Sequence, residues 1–223
     1  LYRQTLRLNP AATARVIATL HRFDDRAASR YTYHNIRDNC TTRVRDLVDD
    51  ALDGRFRALP GMDRPGPDSA RTFMYEGFAG NAHLIAGGLL LFGRAIDRPA
   101  DGYAAMFMPR VLREQIHTRL GIAPQIVYAR RGPTPAGPAS DGVWLLCAVG
   151  LVCATATLLL GRGRRTLQAH VLAALPLGLV GSLLFLLLVA SPLPELRYNE
   201  VLFLCWPSDL LIPALPPPLC TRY

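Results

Sequence analysis

Residues 143–160 form an unbroken run of apolar and small residues, and residues 171–190 form a second. At about 1.5 Å of rise per helical residue, each run is long enough to cross a hydrocarbon core of roughly 30 Å. A helix buried in a soluble domain keeps a polar stripe, whereas the first run offers only Thr155 and Thr157. The second holds Pro176 and Gly178, which lipid-embedded helices tolerate better than soluble ones. The loop between them, residues 161–170, carries Arg162, Arg164 and Arg165. The positive-inside rule puts that loop in the cytoplasm, and so puts the residues before the first run on the opposite side. A third apolar stretch, residues 201–219, contains Trp206, Asp209 and five prolines. It reads as a partial insertion or a third crossing, with Asp209 either an intramembrane functional acid or, favoured, an interfacial residue beside Trp206.

Upstream the pattern changes. Asn9-Pro10 reads as a helix start, and Val16, Ile17, Leu20 and Phe23 follow at near-helical spacing, so a helix is predicted from Pro10 into residues 24–29. Residues 1–8 alternate enough for a strand end or extended lead-in, and residues 31–36, rich in strand formers, read as a strand or extended segment leading to Asp38-Asn39. Val44, Leu47, Val48, Ala51 and Leu52 mark one face of a helix that begins near Cys40, is capped by Asp38 or Asn39, and ends at Gly54. Further helices are predicted over residues 70–80, 82–92 and 106–120. The apolar run 84–92 is short and broken by Gly87-Gly88, so it reads as a buried helix or one lying on a membrane surface. The predicted fold is α+β and mostly helical. Its expected parts are an extracytoplasmic domain over residues 1–131, a Pro/Gly-rich linker over 132–142, and a membrane region over 143–223. The start at Leu1, without an initiator Met or signal sequence, reads as a fragment.

Composition adds a partner class. Half of the residues are hydrophobic, and the net charge of +8 is carried by arginine alone, since the chain has no lysine. The arginines are interleaved with acids and form no basic stripe with aromatics between, which argues against nucleic acid. A basic surface beside a bilayer suits anionic headgroups, so membrane lipid is the expected partner.

Cys40 is the single cysteine of the first domain; Cys147, Cys153, Cys205 and Cys220 all fall in or beside the apolar stretches. A thiol without a partner in its own domain is no disulfide staple. In the first turn of a helix, the unpaired N–H groups and the positive helix end favour a negatively charged sulfur, and Arg43 and Arg45 add to that field. Those are the surroundings of a nucleophile. The rival roles are a small packing residue and a zinc ligand. Zinc is disfavoured because His21, His34, His83 and His117 have no ligand spacing, so no metal or other cofactor is predicted. Nucleophilic catalysis also needs a base, and none of these histidines is placed convincingly by the sequence.

The residues resemble a known family. Tyr31-x-Tyr33 followed by Asp38-Asn39-Cys40-Thr41-Thr42-Arg43 is similar to the signature of the Lnb N-terminal periplasmic domain family of bacterial envelope proteins. Three further pieces match in order: Gly93-Arg94-Ala95-x-Asp97-Arg98-Pro99, Ala105-Met106-Phe107-Met108-Pro109 with Leu112, and Tyr198-Asn199-Glu200 with its following apolar stretch. The resemblance implies a permuted papain-like arrangement, in which a Gly-His element precedes the cysteine helix and lies upstream of Leu1. It implies a cysteine acyltransferase or hydrolase in the bacterial inner membrane, with its soluble domain facing the periplasm, that N-acylates lipoproteins from phospholipid through a Cys40 thioester. Cys40 receives the catalytic role; Asn39 and Thr41, as helix-start groups near an oxyanion, and Arg43 receive supporting ones. A cysteine amidase or peptidase acting on envelope substrates, and a non-enzymatic envelope protein with a structural Cys40, stand as alternatives.

Overall fold

The structure is a computed structural model that describes residues 1–24, 30–129, 131–132, 140–162 and 166–214. Its elements run β1 (Tyr2–Arg3), α1 (Pro10–Asp24), α2 (Cys40–Ala51), β2 (Pro65–Ser69), α3 (Ala70–Gly77), α4 (Ala82–Leu91), β3 (Pro99–Asp101), α5 (Pro109–Leu120), β4 (Gln125–Ile126), α6 (Ser140–Arg162) and α7 (Thr166–Ala190). Short 3-10 helices lie at Arg94–Asp97, Ala104–Phe107, Pro194–Leu196, Glu200–Phe203 and Pro207–Ala214. The fold is α+β and mostly helical, as the periodicity predicts. By contacts the chain divides into two compact units that interleave in sequence: Leu1–Phe73 with Pro99–Thr134, and Met74–Arg98 with Pro135–Tyr223. The sequence reading keeps residues 74–98 with the first domain, whereas their contacts group them with the apolar helices.

In the first unit, β1 pairs antiparallel with β4 (Tyr2 opposite Ile126), so of the two readings of residues 1–8 the strand end holds at Tyr2–Arg3. A second antiparallel pair, β2 with β3, sets Pro65 opposite Asp101. The core gathers Val48 of α2, Phe56, Met62, Tyr103, Met106, and Leu112 and Ile116 of α5, with Leu6 and Leu52 packed against it. Burying side chains of this size stabilises a fold by about 1.5–3 kcal/mol each. The α1 start is as predicted: Asn9 Oδ1 accepts from Ala12 N at 2.8 Å, and Pro10 takes the first helical position. The predicted end of that helix, residues 25–29, lies outside the described residues.

Residues 31–36, expected as a strand or an extended segment, form no strand. The chain turns back on itself at once, with His34 N bonded to Asp38 O at 2.9 Å and Asp38 N to His34 O at 3.1 Å. The His34 ring holds that turn, its Nδ1 accepting from Arg37 N at 3.1 Å. A local side-chain acceptor has here outcompeted strand propensity, which needs a partner strand to count. The α2 helix closes at Ala51, three residues before the expected Gly54. Asp53 and Gly54 both adopt positive φ, and Gly54 N reaches back to Asp49 O at 2.9 Å, a left-handed termination that glycine permits cheaply.

The second unit is built by close approach of small residues. A Cβ on Gly142 of α6 would run into the Ile85 side chain and meet Ala86 N of α4 at 2.8 Å. Helix α6 therefore already includes residues 140–142, assigned from sequence to the linker; residues 133–139 of that linker lie outside the described residues. Along α7, Gly178 faces Leu210, where a Cβ would stand 2.6 Å from the Leu210 amide, and Gly181 faces the Cys205 carbonyl. Residues 200–214 thus fold as two 3-10 helices rather than one continuous helix, with Trp206 edge-on to Phe185 at 6.4 Å. Asp209 caps the second of these, accepting from Trp206 N at 3.2 Å. Residues 215–219 of the third apolar stretch, and Cys220 beyond it, lie outside the described residues, as do Arg164 and Arg165.

Asp141–Arg162 and Leu167–Ala190 are both long and apolar enough to span a membrane. The most apolar windows of the two helices are 0% and 22% buried. Core helices of soluble proteins bury such surface, so apolar helices left this bare call for lipid.

Two of the sequence motifs meet in this unit. Gly93 N donates to Glu195 O at 2.9 Å, and a Cβ on Gly93 would stand 2.7 Å from the Arg197 carbonyl. Asn199 Nδ2 donates to Leu90 O at 2.6 Å. Segments about 100 residues apart are thereby tied backbone to backbone.

Candidate functional site

The Asp38-Asn39-Cys40-Thr41-Thr42 stretch folds as the entrance to α2. Asn39 is the N-cap: its Oδ1 accepts from Thr41 N at 2.8 Å and Thr42 N at 2.9 Å, while Thr42 Oγ1 accepts from Asn39 N at 2.8 Å. Together these form a reciprocal capping box. The Asn39 amide nitrogen donates to Asn35 O at 2.8 Å and to Phe107 O at 3.1 Å, fixing the helix start to the segment before α5. Asn39, Thr41 and Thr42 are all buried, while Cys40 between them is exposed. A buried frame thus presents one thiol outward.

The same bonds decide which N–H groups face a ligand. Those of Asn39, Thr41 and Thr42 are spent on the capping box, and Arg43 N on Asn39 O at 3.1 Å. Among the described residues, the Cys40 N–H has no acceptor, which leaves it as the one first-turn donor open to an oxyanion. Asn39 and Thr41, expected as helix-start groups near an oxyanion, have their own N–H groups engaged in the capping box. The Thr41 hydroxyl comes no nearer the Cys40 sulfur than 4.0 Å.

Arg43 is turned to its own anchor. Its guanidinium forks onto Asp38, Nε to Oδ1 at 2.6 Å and Nη2 to Oδ2 at 2.7 Å, and lies 4.2 Å from the centre of the Tyr31 ring. This is the geometry in which arginine is strongest, and it clamps the His34–Asp38 turn against α2. Arg45 points into the unit. It bonds Asp46 and the Tyr103 carbonyl and stacks 4.1 Å from the Tyr103 ring, while the Tyr103 hydroxyl donates to Asp46 at 2.8 Å. Burial, reinforced by that bond to the Asp46 carboxylate, pushes the Tyr103 phenol well above its ordinary range.

Cys40 and Thr41 line a groove of about 590 Å³. Val44 and Val48 of α2, Leu112 and Ile116 of α5, and Leu6 make its walls apolar, and Arg110 and Arg113 are the cationic residues of its lining. Neither Asp nor Glu lines it among the described residues, and no histidine does. His21, His83 and His117 are exposed, and His34 belongs to the turn before the cap. Cys147 and Cys153 lie on α6 and Cys205 is buried in the second unit, so Cys40 is the cysteine presented to this groove. Among the described residues no cluster of His, Cys, Asp or Glu is arranged to hold a metal.

Sequence reading points to Cys40 and its cap but misses the groove. Leu6, Val48 and Leu112 are brought together by tertiary packing across most of the unit, and no local pattern joins them. Arg113 is missed as well; its signal, a cation next to Leu112 on an amphipathic helix, is common on helix surfaces.

No curated protein and no solved structure matches this chain. Residues 1–74 match the model of the Lnb N-terminal periplasmic domain, a stretch that holds α1, the cap and the whole of α2. The resemblance carried by the Asp38-Asn39-Cys40-Thr41-Thr42-Arg43 stretch is thus supported over the part of the chain that builds the thiol site; with two bare apolar helices beyond it, the chain reads as an envelope membrane protein carrying a domain similar to that periplasmic family.

Proposed function

We propose that this protein is a membrane-anchored cysteine acyltransferase of the bacterial inner membrane, its Cys40 facing the periplasm. The observation that carries the reading is an exposed thiol at the start of α2, on the lining of a largely apolar groove. A groove of this kind accepts an acyl chain, each buried CH₂ contributing about 0.8 kcal/mol. The Cys40 sulfur attacks the ester carbonyl of a phospholipid, the Cys40 N–H donates to the oxyanion, and the ester C–O bond breaks. The lysophospholipid hydroxyl leaves with the proton given up by the thiol, and the acyl group stays as a thioester. A lipoprotein amine then attacks the thioester, the C–S bond breaks as the amide forms, and the sulfur recovers a proton. The histidine base implied by the family resemblance handles these protons. A groove lined mainly by aliphatic side chains favours an acyl substrate over a peptide one.

The test is to incubate full-length protein with vesicles of phospholipid carrying isotope-labelled acyl chains and to analyse the Cys40 peptide by mass spectrometry. The expected product is a labelled, hydroxylamine-sensitive acyl adduct, absent from Cys40→Ser, with label passing to a lipoprotein N-terminus. An unmodified Cys40, together with full cellular activity of Cys40→Ala, overturns the proposal.

A further inference from the structure

Arg113 stands out once the groove is described. It lies on α5, its own carbonyl held by Gln4 Nε2 at 3.0 Å, and its guanidinium sits 4.0 Å from the centre of the Tyr2 ring. Both Tyr2 and Arg113 line the groove that Cys40 lines. The Tyr2 ring braces one side of the cation without neutralising it. Among the described residues, the Arg113 guanidinium donates to no acceptor and pairs with no carboxylate. Arg110 is a second cation on the same lining. A half-buried, braced guanidinium on an apolar groove with no acid among its described lining residues is matched to an amphiphile with an anionic oxygen cluster, and a planar fork of donors suits phosphate best. The Arg113 charge repels a cationic amine, which suits this end of the groove to the acyl donor rather than to the acceptor.

We infer that Arg113 is a specificity-determining residue: it receives the phosphate of a glycerophospholipid whose acyl chain lies in the Cys40 groove, and so selects phosphodiester lipids over neutral glycerides as donors. This rests on the acyltransferase reading of the same groove, and the test separates the two. Full-length Cys40→Ser protein, which cannot turn over, is titrated in nanodiscs with fluorescent lysophosphatidylglycerol and with a monoacylglycerol of the same chain. The ratio of the two dissociation constants cancels bulk partitioning. The phosphodiester probe is expected to bind about tenfold more tightly, a difference abolished in Arg113→Ala and only partly kept in Arg113→Lys, which retains the charge but not the fork. Equal binding of the two probes, or a preference that survives Arg113→Ala, overturns the inference. In a parallel arm, wild type and Arg113→Ala are offered phosphatidylglycerol or diacylglycerol, and the Cys40 thioester is measured. A thioester that forms equally from both donors in wild type removes the role of Arg113 and leaves the transferase intact. An Arg113-dependent lipid preference with no thioester from either donor removes the transferase and leaves a lipid-phosphate site.

Discussion

Each of the two compact units is tied together by a buried asparagine doing the same pair of jobs. Asn39 is 6% exposed, caps α2, and donates across 68 residues to the Phe107 carbonyl. Asn199 is 7% exposed, caps the 3-10 helix Glu200–Phe203 through Val201 N, and donates across 109 residues to the Leu90 carbonyl. The difference lies in what surrounds them. Asn39 makes four bonds and is answered by Thr42, so its local frame is complete in polar contacts alone. Asn199 makes two, and its neighbourhood is held as much by the absence of a side chain at Gly93 as by hydrogen bonds. The exposed thiol is framed by satisfied polar atoms, and a packing joint is made by bringing backbones close.

That contrast can be broken by substitution. Asn39→Ala leaves two α2 amides and two carbonyls in need of partners at a buried position, and is expected to cost about 3 kcal/mol. In hydrogen–deuterium exchange of full-length protein, protection of the α2 amides should fall by about a hundredfold, with residues 200–214 unaffected. Asn199→Ala should do the reverse at about 2 kcal/mol. Equal losses in both regions for either variant would mean that the two asparagines are not local ties. Asn39→Asp sharpens the first case: it keeps the cap acceptor but faces the Asn35 and Phe107 carbonyls with a carboxylate oxygen, so a loss close to that of Ala assigns most of the effect to the two amide-nitrogen bonds rather than to the cap.

Gly93→Ala tests the packing joint. The added methyl meets backbone rather than a flexible side chain, so a loss of about 1–3 kcal/mol is expected, confined to residues 193–204. Unchanged exchange there would show that the close approach yields at no cost. Smaller still is a pH effect in the first unit. The Tyr103 phenol is held above its ordinary value, so the folded state favours the protonated form. That stability is complete below the ordinary phenol value near 10 and is lost as pH rises beyond it. Melting of the first unit should therefore fall more steeply above pH about 10 in wild type than in Tyr103→Phe. Identical slopes would rule out coupling of this phenol to folding.

Legibility in the sequence follows the same division. Asn9, Asn39 and the two apolar runs act through neighbours a few residues away, so their roles are readable from spacing, and even the Asn39–Thr42 reciprocity follows from a cap residue with a hydroxyl three positions on. Residues 31–36 misled because strand propensity is context-dependent and the His34 ring supplied a turn instead. Arg43, placed by sequence in the field of the sulfur, answers to Asp38 and Tyr31, a preference set by geometry that charge spacing does not encode. The groove, Arg113 and the meeting of Gly93 with Arg197 depend on long-range packing and have no local signature.

The capping box also bears on the order in which the first unit assembles. Its bonds join residues no more than five apart, from Asn35 to Arg43, and so form with little loop-closure entropy. The strap to Phe107 closes a loop of 68 residues and is slow by comparison. The frame that presents the thiol therefore forms before the α5 wall of the groove is packed beside it. In the proposed orientation, Cys40 of a newly made chain faces the periplasm as a bare, presented sulfur until α5 docks, and that docking supplies the wall on which the proposed selectivity depends.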